Sequence, residues 1–481
     1  MATQLIEKKE FIGRTFEMGQ LTDAVSTDEA SVLIVYGRRR VGKTELIEHT
    51  LGQRHLVKLE GIENGDREAQ LYRVVLQLSK ALGQPHLSKM VFSTWFELFD
   101  FMADCFAEGE WTLYFEEVQW LAEYKDEFIA DLKYAWDNRF RHNPNLAIVL
   151  CGSSPSFMIN HIVHSKALYN RSTYELHLRE FSLQETRLFM SNRSIHEVMD
   201  AYLTVGGIPE YLKRLSAHSS VKIGICELSF KQQGFLSHEY QKIFISSFAD
   251  NVHYQSIIEF LSRHKFATRK EIEKHLKVTG GGKLTDILSD LELCGFIERY
   301  VPYQASKNSL LVRYCITDNY LQFYYKFIHP IADKVSNGDY NENPMQALNN
   351  ESYTKWLGFA FERFCRKFHR IIAKILGFSA VQYSSGVFFN RETASNQKGY
   401  QIDLIFDRAD KVLTICEIKY LQGKAGADII DEFEDKLNAL PNRHNKTIEK
   451  VLITANGASD SLIARAYFDR IITLEDIFTV S

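Results

Sequence analysis

VLIVYGRRRVGKTELIEHTL, residues 32–51, decides the fold of the N-terminal half of this chain. Residues 32–36 are apolar and mostly β-branched, the pattern of a strand buried on both faces of a parallel sheet. ELIEHTL carries a helical spacing of apolar positions, so the intervening GRRRVGKT is a loop between strand and helix. In that context Gly37, Arg38, Arg39, Arg40, Val41, Gly42, Lys43 and Thr44 read as a phosphate-binding P-loop. Gly37 and Gly42 let backbone N–H groups turn toward phosphate oxygens, and the helix N-terminus adds a favourable dipole. Lys43 is expected to reach the β/γ-phosphates and Thr44 to ligate Mg²⁺, which makes ATP and Mg²⁺ the expected cofactors.

A P-loop of this kind needs an acidic strand nearby. WTLYFEE, residues 111–117, is an apolar run ending in two carboxylates and followed by VQWLA. Glu116 is the expected Mg²⁺ ligand and Glu117 the candidate base that orients an attacking water. Asp is the usual residue at the first position. The extra methylene of Glu116 displaces the carboxylate by about a C–C bond length, which points to slow turnover with nucleotide binding preserved. LAIVL, 146–150, is a further buried strand ending in Cys151-Gly152-Ser153-Ser154. Ser153, at its tip, can sense the γ-phosphate or simply shape a turn. Arg171, in LYNRSTYELHL, is a charge sensor, a finger acting on a neighbouring subunit, or a surface residue.

Five stretches in order carry a resemblance: FIGRTFEMGQL at 11–21, RRRVGKT, FEEVQW, CGSS, and GGIPEYL at 206–212. Together they resemble the archaeal-type ATPases among the signal-transduction ATPases with numerous domains, within the AAA-like P-loop class. The resemblance covers about the first half of the chain. It implies that Phe11 to Arg14 lie near the adenine, and that Gly207 and Pro209 contact nucleotide from a small helical lid. It also implies self-assembly, because an arginine of one subunit often completes its neighbour's site in this class, so a homo-oligomer is expected.

Residues 180–250 are helical by pattern. Beyond them come YQSIIEFLSRH, TRKEIEKHL, Gly280-Gly281-Gly282, KLTDILSDLELCGF, and then strand-like IERYVPY and LLVRYCIT. Helix, helix, turn, helix and β-ribbon predict a winged helix-turn-helix. Its third helix offers Lys283 and Thr285 but also Asp286, Asp290 and Glu292, a poor footprint for phosphate. DNA binding and a protein-packing role therefore stand level. ITDNYLQFYYKFIHP, 316–330, is rich in aromatics; base stacking is conceivable, but this spacing favours helix core. Residues 335–352 are polar and turn-rich and mark a boundary.

In the C-terminal part, residues 353–374 read as one amphipathic helix containing Glu362. GYQIDLIFDRADKVLTICEIKYLQGK then predicts two strands joined by a turn near 408–410. Alternation puts Glu417 and Lys419 on one face and Ile418 on the other. Across the hairpin Asp403 can meet Glu417. Two facing carboxylates repel unless a divalent cation lies between them, so both are candidate metal ligands, with Lys419 positioned to polarise water. The set Glu362, Asp403, Glu417 and Lys419 resembles the PD-(D/E)XK nucleases, whose fold is often appended to archaeal-type ATPases. The resemblance implies catalytic roles for all four. A decayed nuclease fold used for binding, or a plain salt-bridged hairpin, fits the same residues. The Glu362 helix also holds Arg363, Arg366, Lys367, His369, Arg370 and Lys374, a surface for phosphate or a solvated face.

Bulk composition agrees with several domains. The chain has 481 residues, 45% hydrophobic and 25% charged, which is globular composition. The net charge of -4 makes no global case for nucleic-acid binding, so any such surface is local. Seven scattered cysteines lack zinc spacing and suit a reducing cytoplasm, and no signal peptide or membrane span is expected. The predicted fold class is α/β. It comprises a P-loop NTPase core (1–179), a helical lid (180–250), a winged helix-turn-helix with a helical connector (251–334) and a C-terminal restriction-endonuclease-like domain (353–481). The functional expectation is a nucleotide-gated, Mg²⁺-dependent nuclease acting on DNA rather than RNA, with a protein or phage-derived activator; the family suggests defence against phage or mobile DNA. The rival expectations are an ATP-switched DNA-binding regulator and a signal-sensing assembly protein, each with an inert nuclease fold.

Overall fold

The computed structural model describes residues 11–165, 168, 170–248, 252–264, 266–277, 281–300, 312–390, 400–442 and 444–480, without the side chains of 245–248, 300, 389 and 390. Gly280 and residues 301–311 of the expected ribbon lie outside the described residues.

Five strands form the first sheet: β1 (Ser31–Tyr36), β2 (His55–Glu60), β3 (Trp111–Glu116), β4 (Leu146–Gly152) and β5 (Tyr174–His177), in the order β2-β3-β4-β1-β5. Every pairing is parallel. β4 therefore separates the P-loop strand β1 from the acidic strand β3, and its tip, Cys151–Ser154, comes to lie between them. Alternation along β1 feeds both faces. Leu33 and Val35 join the cluster on the side of the helix Lys43–Leu51, while Val32 and Ile34 join the one formed with the helices Arg67–Ala81, Trp95–Cys105 and Glu127–Asn138. Burial on both faces is why this strand reads as a continuous apolar run.

Five helices follow, from Leu183–Phe189 to Phe235–Phe248, as the helical pattern predicts. Beyond them lie the helices Val252–Ser262, Arg269–Leu276 and Gly282–Leu293, with a small antiparallel sheet of β6 (Ala267–Thr268), β7 (Ile297–Tyr300) and β8 (Arg313–Ile316) in the order β6-β8-β7. The third helix docks on the first domain, where Asp290 accepts from Ser156 Oγ at 2.7 Å; within its own module Asp290 also accepts from the Tyr254 hydroxyl at 2.5 Å. Within 316–330, Tyr320, Phe323, Tyr324 and Phe327 are buried, the core role their spacing favours.

The C-terminal sheet comprises β9 (Tyr383–Asn390), β10 (Tyr400–Arg408), β11 (Val412–Lys419), β12 (Thr447–Thr454) and β13 (Arg470–Ile472), in the order β13-β12-β11-β10-β9. β9, β10 and β11 pair antiparallel, whereas β11, β12 and β13 pair parallel. The helix Ile429–Ala439 makes the crossover between β11 and β12. The single helix expected over 353–374 is in fact two, Asn350–Lys367 and His369–Ile375. Phe368 breaks it, with φ -103° and ψ 31°, and packs on Tyr202 and Phe364. That packing is a tertiary contact invisible to helical periodicity.

Candidate functional site

Two glycines shape the P-loop, one by a close approach and one by its backbone conformation. A Cβ on Gly37 would stand 2.1 Å from Leu178 O, so only glycine fits where β1 passes the segment after β5. Gly42 adopts φ 90° at the start of the helix Lys43–Leu51. Lys43 is buried, and its ammonium donates to Gly37 O at 2.9 Å and Arg38 O at 3.1 Å, which holds it over the loop. Thr44 Oγ1 donates to Glu116 Oε1, and the Tyr114 hydroxyl donates to the same oxygen at 2.8 Å. Lys58, on β2, pairs with Glu116 Oε2 at 2.6 Å. Burial pushes the Glu116 carboxyl up, but the bonds from Lys58, Thr44 and Tyr114 outweigh it and hold the group below the usual carboxylate range. Thr44 and Glu116 are hard oxygen donors in direct contact, a set that suits Mg²⁺. Lys58 competes with such an ion for the same carboxylate, and spacing within either motif gave no sign of it.

Glu117 follows at φ 53°, a left-handed conformation that aims its carboxylate at the tip of β4. Its Oε2 accepts from Ser153 N at 3.0 Å and from Gln119 Nε2 at 2.7 Å, and Gln119 also donates to Ser153 Oγ at 3.3 Å. The candidate base and the candidate sensor thus form one network at the switch between β3 and β4. Arg171 lies elsewhere in its contacts: its guanidinium holds Asp137 in a bidentate pair, at 2.7 and 2.9 Å.

Two of the loop's arginines, Arg38 and Arg40, pair with acids on the helices beyond it. Arg38 pairs with buried Asp318, at the start of the helix Asn319–Phe323, and lies 5.3 Å from the Phe296 ring. Arg40 pairs with buried Glu239, which also accepts from the Tyr211 hydroxyl at 3.0 Å. Val41 is core. Arg38 and Arg40 therefore reach the helices beyond the loop and Val41 packs beneath it, while Arg39 is half-buried. Pro209 opens the helix Pro209–Ser216 that carries Tyr211. Before it, Gly207 lies so near the main chain that a Cβ would stand 2.1 Å from Phe181 O. At the N-terminal end Phe11 stacks on His49 with centroids 4.3 Å apart, and Arg14 donates to Val41 O at 3.2 Å and Arg179 O at 2.7 Å.

In the C-terminal domain a β-bulge between Ile402 and Ile405 sits at Asp403. Asp403 Oδ2 accepts from Ile418 N at 3.3 Å. Burial, Glu362 and then Glu417 raise the Asp403 carboxyl above the usual carboxylate range. Those three acids therefore share one neighbourhood. Glu417 is fully buried and bridged by ammonium groups: Lys436 reaches its two oxygens at 2.7 and 2.9 Å, and Lys419 lies 3.0 Å away. Lys436 also pairs with Glu432 at 2.9 Å. The countercharge that the sequence reading assigned to a divalent cation is supplied here by Lys436. It was missed because it lies on the next helix; the Glu432/Lys436 spacing of i,i+4 was the available signal. Among the described residues no group of three or more His, Cys, Asp or Glu side chains is arranged to hold a metal ion. The acids offer suitable oxygens, but a cation at Glu417 requires Lys436 to move. Glu362 itself accepts from Arg366 at 3.5 Å.

A nucleotide-binding loop, an acidic strand one place removed from it in a parallel sheet, and a carboxylate held to the intervening strand tip define a P-loop ATPase domain. A family described as an ATPase domain predominantly from Archaea matches residues 11–215, and this part of the chain is an ATPase domain of that type, which supports ATP binding. An uncharacterized protein of Methanocaldococcus jannaschii is 24% identical over 433 residues, spanning 85% of this chain and 87% of its own length. Among solved structures, a Walker-type ATPase of Pyrococcus abyssi is 18% identical with a TM-score of 0.48, covering 66% of this chain and 97% of that one. The Aeropyrum pernix ORC2 protein is 13% identical with a TM-score of 0.45, covering 69% of this chain and 96% of that one. Among the described residues no helix is long and apolar enough to cross a membrane.

Proposed function

We propose that this protein is an ATP-binding switch that controls a metal-dependent nuclease centre in its C-terminal domain. The observation that carries the switch is the pair of contacts from the P-loop outward, Arg38 to Asp318 and Arg40 to Glu239. Nucleotide shifts an equilibrium only by binding two arrangements unequally. A phosphate that reshapes the loop alters both contacts, and these lead to the modules beyond the ATPase domain. The Arg38 latch is also incompletely satisfied: Nε and Nη2 are buried without a hydrogen-bond partner among the described residues. Each such group costs about 1–3 kcal/mol, which lowers the barrier to leaving this arrangement. In the ATP site, Thr44 and Glu116 would hold Mg²⁺, and Glu117 would orient water.

The nuclease part of the reading rests on the shared neighbourhood of Glu362, Asp403, Glu417 and Lys419. Asp403 and Glu417 would supply metal-ligating oxygens, while Lys419 would stabilise charge on the phosphate. When bound, a divalent cation supplies an activated water. DNA is the proposed substrate; a cytoplasmic setting, a homo-oligomer, an activating protein and a part in defence belong to the same proposal, as does the four-part division of the chain. Lys436, on both oxygens of Glu417, favours a second reading in which the C-terminal domain binds nucleic acid without cutting it.

One assay separates the two. Purified protein is incubated with DNA or RNA, Mg²⁺ or Mn²⁺, with and without ATP, beside Asp403→Ala and Lys419→Ala. Cleavage that needs a divalent ion, responds to ATP and is lost in both variants is expected. Binding without cleavage in every condition would establish the second reading. For the ATP site, Lys43→Ala is expected to weaken nucleotide binding at least tenfold by titration calorimetry; unchanged binding would refute the site.

A further inference from the structure

A cavity of about 1000 Å³ lies where the three-helix module with the small sheet meets the C-terminal domain. It is as large as the biggest of the ~300–1,000 Å³ clefts that hold small ligands. Its wall is strongly cationic: among the described residues seven arginines and lysines line it, against two carboxylates, Glu298 and Glu362. The cations come from both sides, with Arg263 and Arg299 on one module, Lys326 on the connector, and Lys355, Arg363 and Arg366 on the helix Asn350–Lys367. Four of the seven are offset, since Arg263 pairs with Glu259, Lys355 with Glu351, Arg366 with Glu362 and Lys367 with Glu180. Exposed pairs such as Arg263–Glu259 and Lys355–Glu351 are weak, so a ligand's anion can replace them.

Arg363 is the deciding residue. Its Nε and Nη2 are buried and have no hydrogen-bond partner among the described residues. Burial and the neighbouring Arg366 push its pKa down to about 10. A guanidinium held away from water beside a second one, with two unpaired nitrogens, is costly, and an anion in the cavity that Arg363 lines would offset that cost once the side chain turns toward it. Aromatic surface lines the same space: Trp356, 5.8 Å from the Arg363 guanidinium, the half-exposed Phe359, and Tyr325. Arginine and aromatic faces together suit phosphates joined to bases, which pair with the former and stack on the latter.

We propose that this cavity binds a phosphodiester ligand with stackable bases, of about dinucleotide size, taken either from a single-stranded nucleic acid or from a free dinucleotide. The site is separate from the P-loop. Glu362, at its wall, belongs to the acidic group around Asp403, so a strand held here would lead toward the proposed nuclease centre. The proposal does not depend on cutting and is tested where no cutting occurs.

The full chain is titrated in EDTA by fluorescence anisotropy against two labelled probes, the phosphorylated dithymidine pTpT and a twelve-nucleotide oligo(dT). Excess ATP serves as competitor. Arg363→Met and the exposed Arg299→Gln are compared with Arg465→Gln, a charge removal on the C-terminal domain surface. Arg299→Gln keeps the test valid if Arg363→Met misfolds. The expected result is binding that ATP does not displace and that weakens at least tenfold in Arg363→Met and Arg299→Gln but not in Arg465→Gln. Equal affinity for the two probes assigns the site to a free dinucleotide; affinity for the oligonucleotide alone assigns it to a strand. No binding of either probe, displacement by ATP, or equal binding by Arg363→Met, Arg299→Gln and wild type would overturn the proposal.

Discussion

Glu116 accepts from Thr44 and Tyr114 with one oxygen and pairs with Lys58 through the other. An ammonium at that distance opposes a second cation at the same carboxylate. Lys58→Met is therefore expected to lower the Mg²⁺ concentration for half-maximal nucleotide binding by about tenfold, on the order of 1.4 kcal/mol, read by calorimetric titration at fixed nucleotide. No change would mean that Glu116 does not take the metal. Asp200 offers a pH test far from the P-loop. Burial, opposed by a 2.7 Å bond from the Tyr420 hydroxyl, pushes its carboxyl up to about 6. A carboxyl raised on folding favours the folded state at low pH, and that benefit is lost as pH rises through about 6. Asp200→Asn removes the penalty, and its amide oxygen can still accept from Tyr420. The variant is expected to melt higher than wild type at pH 8, by roughly 1–3 kcal/mol, and to converge with it near pH 4. An advantage independent of pH would show that Asp200 is not the titrating group.

At the level of elements, glycine contacts and a bulge do what periodicity does not reveal. Gly207 is pressed against Phe181 at the entry to the helix Pro209–Ser216. Gly207→Ala is expected to cost roughly 1–3 kcal/mol and to lower nucleotide affinity by displacing the helix that carries Tyr211. Chemical denaturation beside a nucleotide titration checks both parts, and a variant as stable as wild type would mean that the backbone yields freely there. The strands β1, β3, β4, β10 and β11 were legible because buried parallel strands and a hairpin have strong patterns. The bulge at Asp403 was not, because strict alternation assigns Ile402 and Leu404 to one face. The bulge instead sends them to different cores, Ile402 to one cluster and Leu404 to another. The break at Phe368 was likewise hidden, since its cause is packing against Tyr202.

Across the whole molecule, a single hydrophobic cluster runs from Leu33 and Val35 beneath the P-loop, through Tyr211 and Tyr320, to Phe364 and Ile418 in the C-terminal domain. Arg38 and Arg40 cross the same junctions with charge. Hydrogen–deuterium exchange tests whether these contacts transmit nucleotide binding. ATP is expected to change amide protection in residues 235–244 and 316–323 of wild type, and the change is expected to vanish in Arg38→Ala/Arg40→Ala while nucleotide still binds. Persistence of the change in the double variant would route the coupling elsewhere.

What the sequence determined by itself is the local chemistry: a strand, a glycine loop and a helix that cradle phosphate, a carboxylate pair at a strand end, and the Asp403, Glu417 and Lys419 positions on a hairpin. These depend on short-range geometry, in which residue type and spacing are enough. Only the tertiary structure decided what neutralises each charge. Lys58 comes to Glu116 from the next strand in the sheet, Lys436 comes to Glu417 from a crossover helix, and Arg38 finds Asp318 across 280 positions of chain. Long-range ion pairs carry no periodic signature, because their partners are chosen by the packing of whole elements. The P-loop could therefore be read from eight residues, whereas its connection to the rest of the molecule could not.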